Sequence, residues 1–145
     1  MRFSARTEYA AIAALALACH GASRGPLTMR AICEAHGVPA QFLVHILLQL
    51  KRAGLVVSVR GAGGGYRLAR PSDAITLRDI HAAVDGAAES SAPVTAALAS
   101  RSPLAAVLAR AWNGAAAAHS EALEAVTLAD LATRIRIGVE PMYYI

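Results

Sequence analysis

The chain has 145 residues, 56% of them apolar and many of those alanine, and a net charge of +4. That suffices for one domain, or for one small domain with an assembly element. The longest apolar run, Tyr9 to Cys19, is about half the ~18 residues a membrane span needs, and the start carries Arg2 and Arg6 without a cleavage-like end. A cytoplasmic protein with no membrane partner is therefore expected. Charge is unevenly spread: residues 1–70 hold nine basic side chains against Glu8 and Glu34, and the remainder holds five against eight acids. The first half is the one suited to phosphate.

In chain order, Ser4 reads as an N-cap, and Tyr9, Ile12, Ala13, Leu15 and Ala16 predict a largely buried first helix ending near Gly21. Arg6 and Tyr9, early on that helix, can reach a DNA backbone. A loop spans Ser23 to Pro26. Thr28 caps a short second helix that turns Met29, Ile32 and Cys33 inward and stops at Gly37. Pro39 suits the first turn of a third helix, whose inward stripe is Phe42, Leu43, Ile46, Leu47 and Leu50. Gln41, Val44, His45, Leu48, Gln49 and Arg52 fall on the other side. Lys51 and Arg52 complement the negative end of the helix dipole and are also placed for phosphate.

Leu55 to Val59, the string RGAGGGYRLAR from Arg60 to Arg70, and Pro71 then predict a two-stranded hairpin with a cationic, glycine-rich tip. A lone hairpin is marginal in water, so it must lean on the preceding helix. The expected fold class is mainly α with a small β-hairpin, a winged helix-turn-helix joined to a long dimerisation helix. The glycines do not make a dinucleotide site, because Tyr66 replaces the third fingerprint glycine and a strand follows. With no other catalytic motif in the sequence, an enzyme is not expected.

Thr76 with Asp79, and Thr127 with Asp130, each resemble a capping box and start helices. The first of these is expected to stop at Asp85 and Gly86, and Ala87 to Ser102 to form a loop. From Pro103 a long helix carries Leu104, Val107, Leu108, Ala111, Trp112, Ala115, Ala122, Leu123 and Val126 on one stripe, suited to packing against a second copy. Residues 1–86 are thus read as the DNA-binding domain, 87–102 as a loop, and 103–145 as the dimerisation helix, final helix and tail. The apolar tail, with Val139, Met142, Tyr143, Tyr144 and Ile145, is expected to dock somewhere.

Several stretches together resemble the IscR/NsrR/CymR-type (Rrf-two) family of bacterial winged-helix transcription regulators. They are Tyr9 and Ala10, Leu50 to Val56, the wing from Val59 to Arg70, Ala83 to Gly86, Trp112, and Thr127 to Leu131. The resemblance runs from the N-terminus to about Ile135. It implies a homodimer, crossed through the long helix, on palindromic double-stranded promoter DNA. It places Gln41, Val44 and His45 where bases are read, and Arg60 on the wing arginine that enters a minor groove, with Gly61, Tyr66 and Arg67 beside it. Chemically, Gln can pair with adenine, His can donate to guanine N7, and Val44 can meet a thymine methyl. Relatives commonly carry polar pairs where this chain has Val44 and His45, so a different operator is implied; a solvated helix residue is the other reading of His45.

Cluster-binding relatives hold three cysteines between the fourth and the long helix, whereas Gly86 to Trp112 contains none here. No iron-sulfur cluster is expected. Cys19, His20, Cys33 and His36 are a zinc-like set in composition, but adjacent helical residues diverge by about 100°. Zinc, and any other cofactor, is not expected. The function expected is a sequence-specific transcription regulator, a repressor by preference. The alternatives are a dimeric regulator switched by a small effector or a protein partner, and an interaction module that no longer binds DNA.

Overall fold

A computed structural model describes residues 2–89 and 92–143, with side chains to 86 and from 92 to 138. Within them α1 (Ala5–His20), α2 (Met29–His36) and α3 (Ala40–Arg52) lead into a hairpin of β1 (Val56–Val59) and β2 (Gly65–Leu68). Then come α4 (Leu77–Glu89), α5 (Val94–Leu98), α6 (Pro103–Glu124) and α7 (Leu128–Tyr143). The mainly helical fold with one small hairpin is as expected. Among the described residues no helix is long and apolar enough to cross a membrane.

Capping sets several of the boundaries. The Ser4 hydroxyl accepts the Thr7 N–H at 3.1 Å and the Thr28 hydroxyl accepts the Ala31 N–H at 3.1 Å, which start α1 and α2. Gly37 ends α2 in the left-handed region at φ 69°. Pro39 stands just before α3 rather than inside its first turn, and its carbonyl accepts the Leu43 N–H at 3.0 Å. No side chain caps α3. Its orientation comes from burial of Leu43, Ile46, Leu47 and Leu50, each at most 1% exposed. At about 1.5–3 kcal/mol per buried aliphatic side chain, that outweighs the ~1 kcal/mol a cap contributes.

These residues form one core with the alanine face of α1 (Ala10, Ala13, Ala14), Ile32, Val38, Leu55, Val56, Ile75, Ile80 and Leu128. Alanines let α1 lie close to α3, α4 and α7, because a methyl keeps helix axes near the short end of the packing range. Two expected core residues are not enclosed: Ile12 is 38% exposed and Phe42 39%. Both sit at the edge of their stripe, where the helical period carries them out from under the neighbouring element.

The two Thr–Asp capping boxes form as expected. Thr76 N–H donates to Asp79 and Asp79 N–H to Thr76; Thr127 and Asp130 exchange the same pair, all between 3.0 and 3.2 Å. They are also joined, since Leu77 N–H donates to the Val126 carbonyl and Leu128 N–H to that of Ile75. The start of α7 is thereby laced to the start of α4, and Leu128 lies in the core of the N-terminal half.

The segment expected as a loop is more ordered than that. Helix α4 runs past Asp85 and Gly86 to Glu89, and Val94–Leu98 forms α5. Alanine explains both, since its high helix propensity offsets one glycine at Gly86. Val126, expected on the α6 stripe, lies beyond the helix end at Glu124. The expected docking of the tail rests on side chains from Val139 onward, which lie outside the described residues.

Candidate nucleic-acid interface

Helix α3 is anchored by one face and presents the other. Gln41 and His45 are exposed there, with Val44 at 50% and Leu48 at 43%. Phe42 borders this surface, its ring 5.7 Å from that of Tyr9 on α1. The outward face thus combines an amide, an imidazole and aliphatic methyls, the groups that read base edges in a major groove.

The hairpin stands beside α3. Strands pair antiparallel from Val56 with Leu68 to Val59 with Gly65, and the turn closes through Gly64 N–H to the Gly61 carbonyl at 3.0 Å. Arg60, Gly61 and Arg67 are exposed on it. Its inner edge is held by a bridge to the chain ahead of α2: Leu27 N–H donates to the Tyr66 carbonyl at 2.9 Å and Tyr66 N–H to that of Leu27 at 2.8 Å. A methyl at Gly65 would meet the Leu27 carbonyl oxygen at 2.6 Å, and Gly65 has φ 149°, so glycine is required for this close approach. Tyr66 is half-buried against the core, which limits its expected reach to DNA to its exposed part.

Two basic residues expected at phosphate also have structural tasks. Lys51 Nζ donates to the Ser58 hydroxyl of β1 at 2.9 Å, strutting the wing from the end of α3. Arg6 Nη2 donates to Gln49 Oε1 at 2.9 Å, and Gln49 Nε2 reaches the Val84 carbonyl at 3.5 Å. Arg52 is exposed.

Composition and periodicity did not find the polar joint beneath Arg6. Asp85 Oδ2 accepts from the Ser4 and Thr7 hydroxyls, both at 2.6 Å, and His81 Nδ1 lies 3.9 Å away. Partial burial pushes the Asp85 carboxyl up, but the hydroxyl bonds, His81 and Arg6 together hold it below the usual carboxylate range. The joint clamps the cap of α1 to α4. Its available signal is the Ala83 to Gly86 stretch, which the sequence shows as a helix end and a point of family resemblance but not as a joint to α1.

On α6, Leu104 is 78% exposed, Val107 66%, Leu108 48% and Trp112 60%, and Ala111 and Ala115 are exposed beside them. Leu123 departs from this stripe. It lines a cavity of about 110 Å³ with Phe3, Thr7, Leu77 and Ile80 of the same chain. Cys19 is exposed and Cys33 half-buried, both unpaired, and among the described residues no group of three or more His, Cys, Asp or Glu could hold a metal ion.

A helix with an outward polar-aliphatic face, preceded by a short helix and a glycine turn and followed by a cationic hairpin, defines a winged helix-turn-helix DNA-binding protein. The family model Rrf2, described as an iron-dependent transcriptional regulator, matches residues 3–134. A candidate HTH-type transcriptional regulator of Mycobacterium tuberculosis is 38% identical over 132 residues, 91% of this chain and 81% of that protein. IscR of Vibrio cholerae is 41% identical over 85 residues, covering 59% of this chain and 49% of that protein. Among solved structures, CymR, the global cysteine regulator of B. subtilis, superposes with a TM-score of 0.75 at 28% identity, covering 92% of this chain and 97% of that one. IscR of T. potens gives 0.70 at 31%, covering 92% and 87%. The chain belongs to the Rrf2 family: it is a DNA-binding transcription regulator and not an enzyme.

Proposed function

We propose that the protein is a cytoplasmic homodimer that represses transcription from palindromic promoter DNA and works without an iron-sulfur cluster. The observation that carries this is the placement of the exposed Gln41, Val44 and His45 beside the Arg60 wing, with an apolar face on α6 left exposed among the described residues. In this reading α3 lies in the major groove, where the three side chains meet base edges and the methyl of thymine. Arg60, with Gly61 and Arg67 beside it, enters the adjacent minor groove and senses its width. Arg6, Tyr9, Lys51, Arg52 and the exposed part of Tyr66 meet the backbone. Leu104, Val107, Leu108, Ala111, Trp112 and Ala115 pair with their copies, and the two-fold axis so made matches a palindrome.

The donor set is what supports a cluster-free regulator. Iron-sulfur centres need thiolates, and the cysteines of this chain are Cys19 and Cys33, one exposed on α1 and one on α2. They do not fit a cluster, and among the described residues no three His, Cys, Asp or Glu side chains stand together as zinc would need. Repression follows if the occupied palindrome overlaps a promoter.

A fluorescent duplex library titrated at two salt concentrations tests the reading. A specific affinity that falls steeply with salt is expected, because several phosphates are neutralised at once. Absence of binding even at low salt would mean an interaction module instead. Native mass spectrometry of the same protein should give the mass of two bare chains.

A further inference from the structure

We propose that Gln49 and Ser58 are positioning residues that hold Arg6 and Lys51 ready for the two phosphate strands flanking α3. The inference rests on the DNA-binding reading above and starts from helix geometry. At about 100° per residue, Val44, His45 and Leu48 fall within about 60° of Gln41 on α3, whereas Gln49 and Lys51 stand about 80° to either side of it. They are the two shoulders of the outward face. A helix lying in a major groove has a sugar-phosphate strand on each side, so its shoulders are where cations serve.

Each shoulder carries one cation fixed by a neutral oxygen. On one, Gln49 Oε1 accepts from Arg6 Nη2 at 2.9 Å, while Gln49 Nε2 faces the Val84 carbonyl at 3.5 Å and so leaves the accepting end of the amide to the guanidinium. On the other, the Ser58 hydroxyl of β1 accepts from Lys51 Nζ at 2.9 Å. By contrast Arg30 and Arg78, which are not among the proposed DNA contacts, meet the carboxylates of Glu34 and Glu124 at 2.8 and 2.9 Å. Among the described residues Arg6 and Lys51 form no such ion pair. The Asp85 carboxylate feels the charge of Arg6 but takes its hydrogen bonds from Ser4 and Thr7.

Neutrality of the holder is what suits the cation to phosphate. A carboxylate would fix the side chain and cancel its charge. An amide or hydroxyl fixes it and leaves both the charge and the remaining N–H donors for a second partner. Long basic side chains lose much rotamer freedom when they bind, and an arm already ordered in the free protein loses less.

The test is a double-mutant cycle, read by anisotropy on the tightest duplex of the library over a range of salt. Arg6→Gln and Lys51→Gln should each lower the slope of log affinity against log salt by about one, and an unchanged slope would overturn the phosphate contact and its holder together. Gln49→Met keeps the side-chain length and removes the accepting oxygen. It should weaken binding about three- to tenfold when Arg6 is present and leave it unchanged in the Arg6→Gln background. Ser58→Ala should behave in the same way toward Lys51→Gln, and because Ser58 is exposed it tests the idea even if Gln49→Met does not fold. Equal weakening in both backgrounds would mean that the residue only packs elements together, and no weakening in either would mean that it holds nothing; each result overturns the holder concerned. In the free protein, ¹⁵N relaxation at Arg6 Nε should show a restricted guanidinium that Gln49→Met releases. Motion in the wild type as free as at the exposed Arg52 would overturn the Gln49 holder without reference to DNA. A wild-type protein that binds no duplex at any salt would instead remove the regulator reading, and this inference with it.

Discussion

Asp85 shows how much one carboxylate can organise. It takes hydroxyl bonds from Ser4 and Thr7 while His81 and Arg6 stand nearby, so its folded form stays ionised at lower pH than an unfolded aspartate would. The sign follows from linkage. The contribution is whole above the ordinary carboxylate value, about 3.9, and is lost as pH falls through the lower folded value. Asp85→Asn should therefore lose about 1–2 kcal/mol at neutral pH. The gap should close as urea unfolding is repeated toward pH 3, and a constant gap would contradict this account. His45 belongs to the same scale but acts outward. His45→Ala should relax base preference within a half-site by about 1–3 kcal/mol if the ring reads an edge, measured by competition among single-base variants. An unchanged preference would make His45 a solvated helix residue. Arg60→Ala should weaken binding most at A/T-rich flanks, where a narrow minor groove attracts the guanidinium; equal loss on all duplexes would place Arg60 at phosphate.

Among elements, the wing depends on a contact that no helical or strand period reveals. Gly65 packs against the backbone of Leu27, where a methyl would stand 2.6 Å from a carbonyl oxygen. Gly65→Ala should break the Leu27–Tyr66 bridge, speed hydrogen exchange at both amides and weaken DNA binding, while the exchange of core amides in α3 stays slow. The hairpin itself was legible, because β-branched residues flanking a glycine turn have few other uses. So were α2, α3 and both Thr–Asp boxes, whose caps are local and whose stripes have strong period. What escaped was of two kinds. Alanine-rich stretches such as Ala87 to Ser102 have little amphipathic contrast, so α5 and the last turn of α4 left no periodic signal. Contacts between distant segments also escaped: Ser4 and Asp85 are 81 residues apart, and Arg6 and Gln49 are 43 apart. Pattern reading sees neighbours on one element and is blind to such pairs. The outward face of α3 was readable as what the buried stripe left over, which is why Gln41, Val44 and His45 emerge exposed where expected.

For the whole molecule, the decisive feature is an apolar surface on α6 that no other described residue covers. Partial burial of Leu123 against α1 and α4, and exposure of Leu104, Val107, Leu108 and Trp112, divide α6 into an end that belongs to the domain and an end that does not. Leaving Trp112 60% exposed and Leu104 78% exposed on one face is unfavourable in water, since each Å² of apolar surface removed gives about 25 cal/mol. In the proposed homodimer a second copy would remove it symmetrically and set two wings and two α3 helices at a fixed separation on DNA. Leu108→Glu and Trp112→Glu place charge on that face without touching the protomer core. Each should change the protomer's own stability by less than about 0.5 kcal/mol while converting the protein to a monomer in sedimentation velocity. On a palindromic duplex, affinity should fall by about a hundredfold or more, because the second half-site no longer binds as part of the same molecule. On a single half-site duplex, affinity should stay as it was. Retention of the dimer in both variants would mean that the uncovered face of α6 is not where the two copies meet.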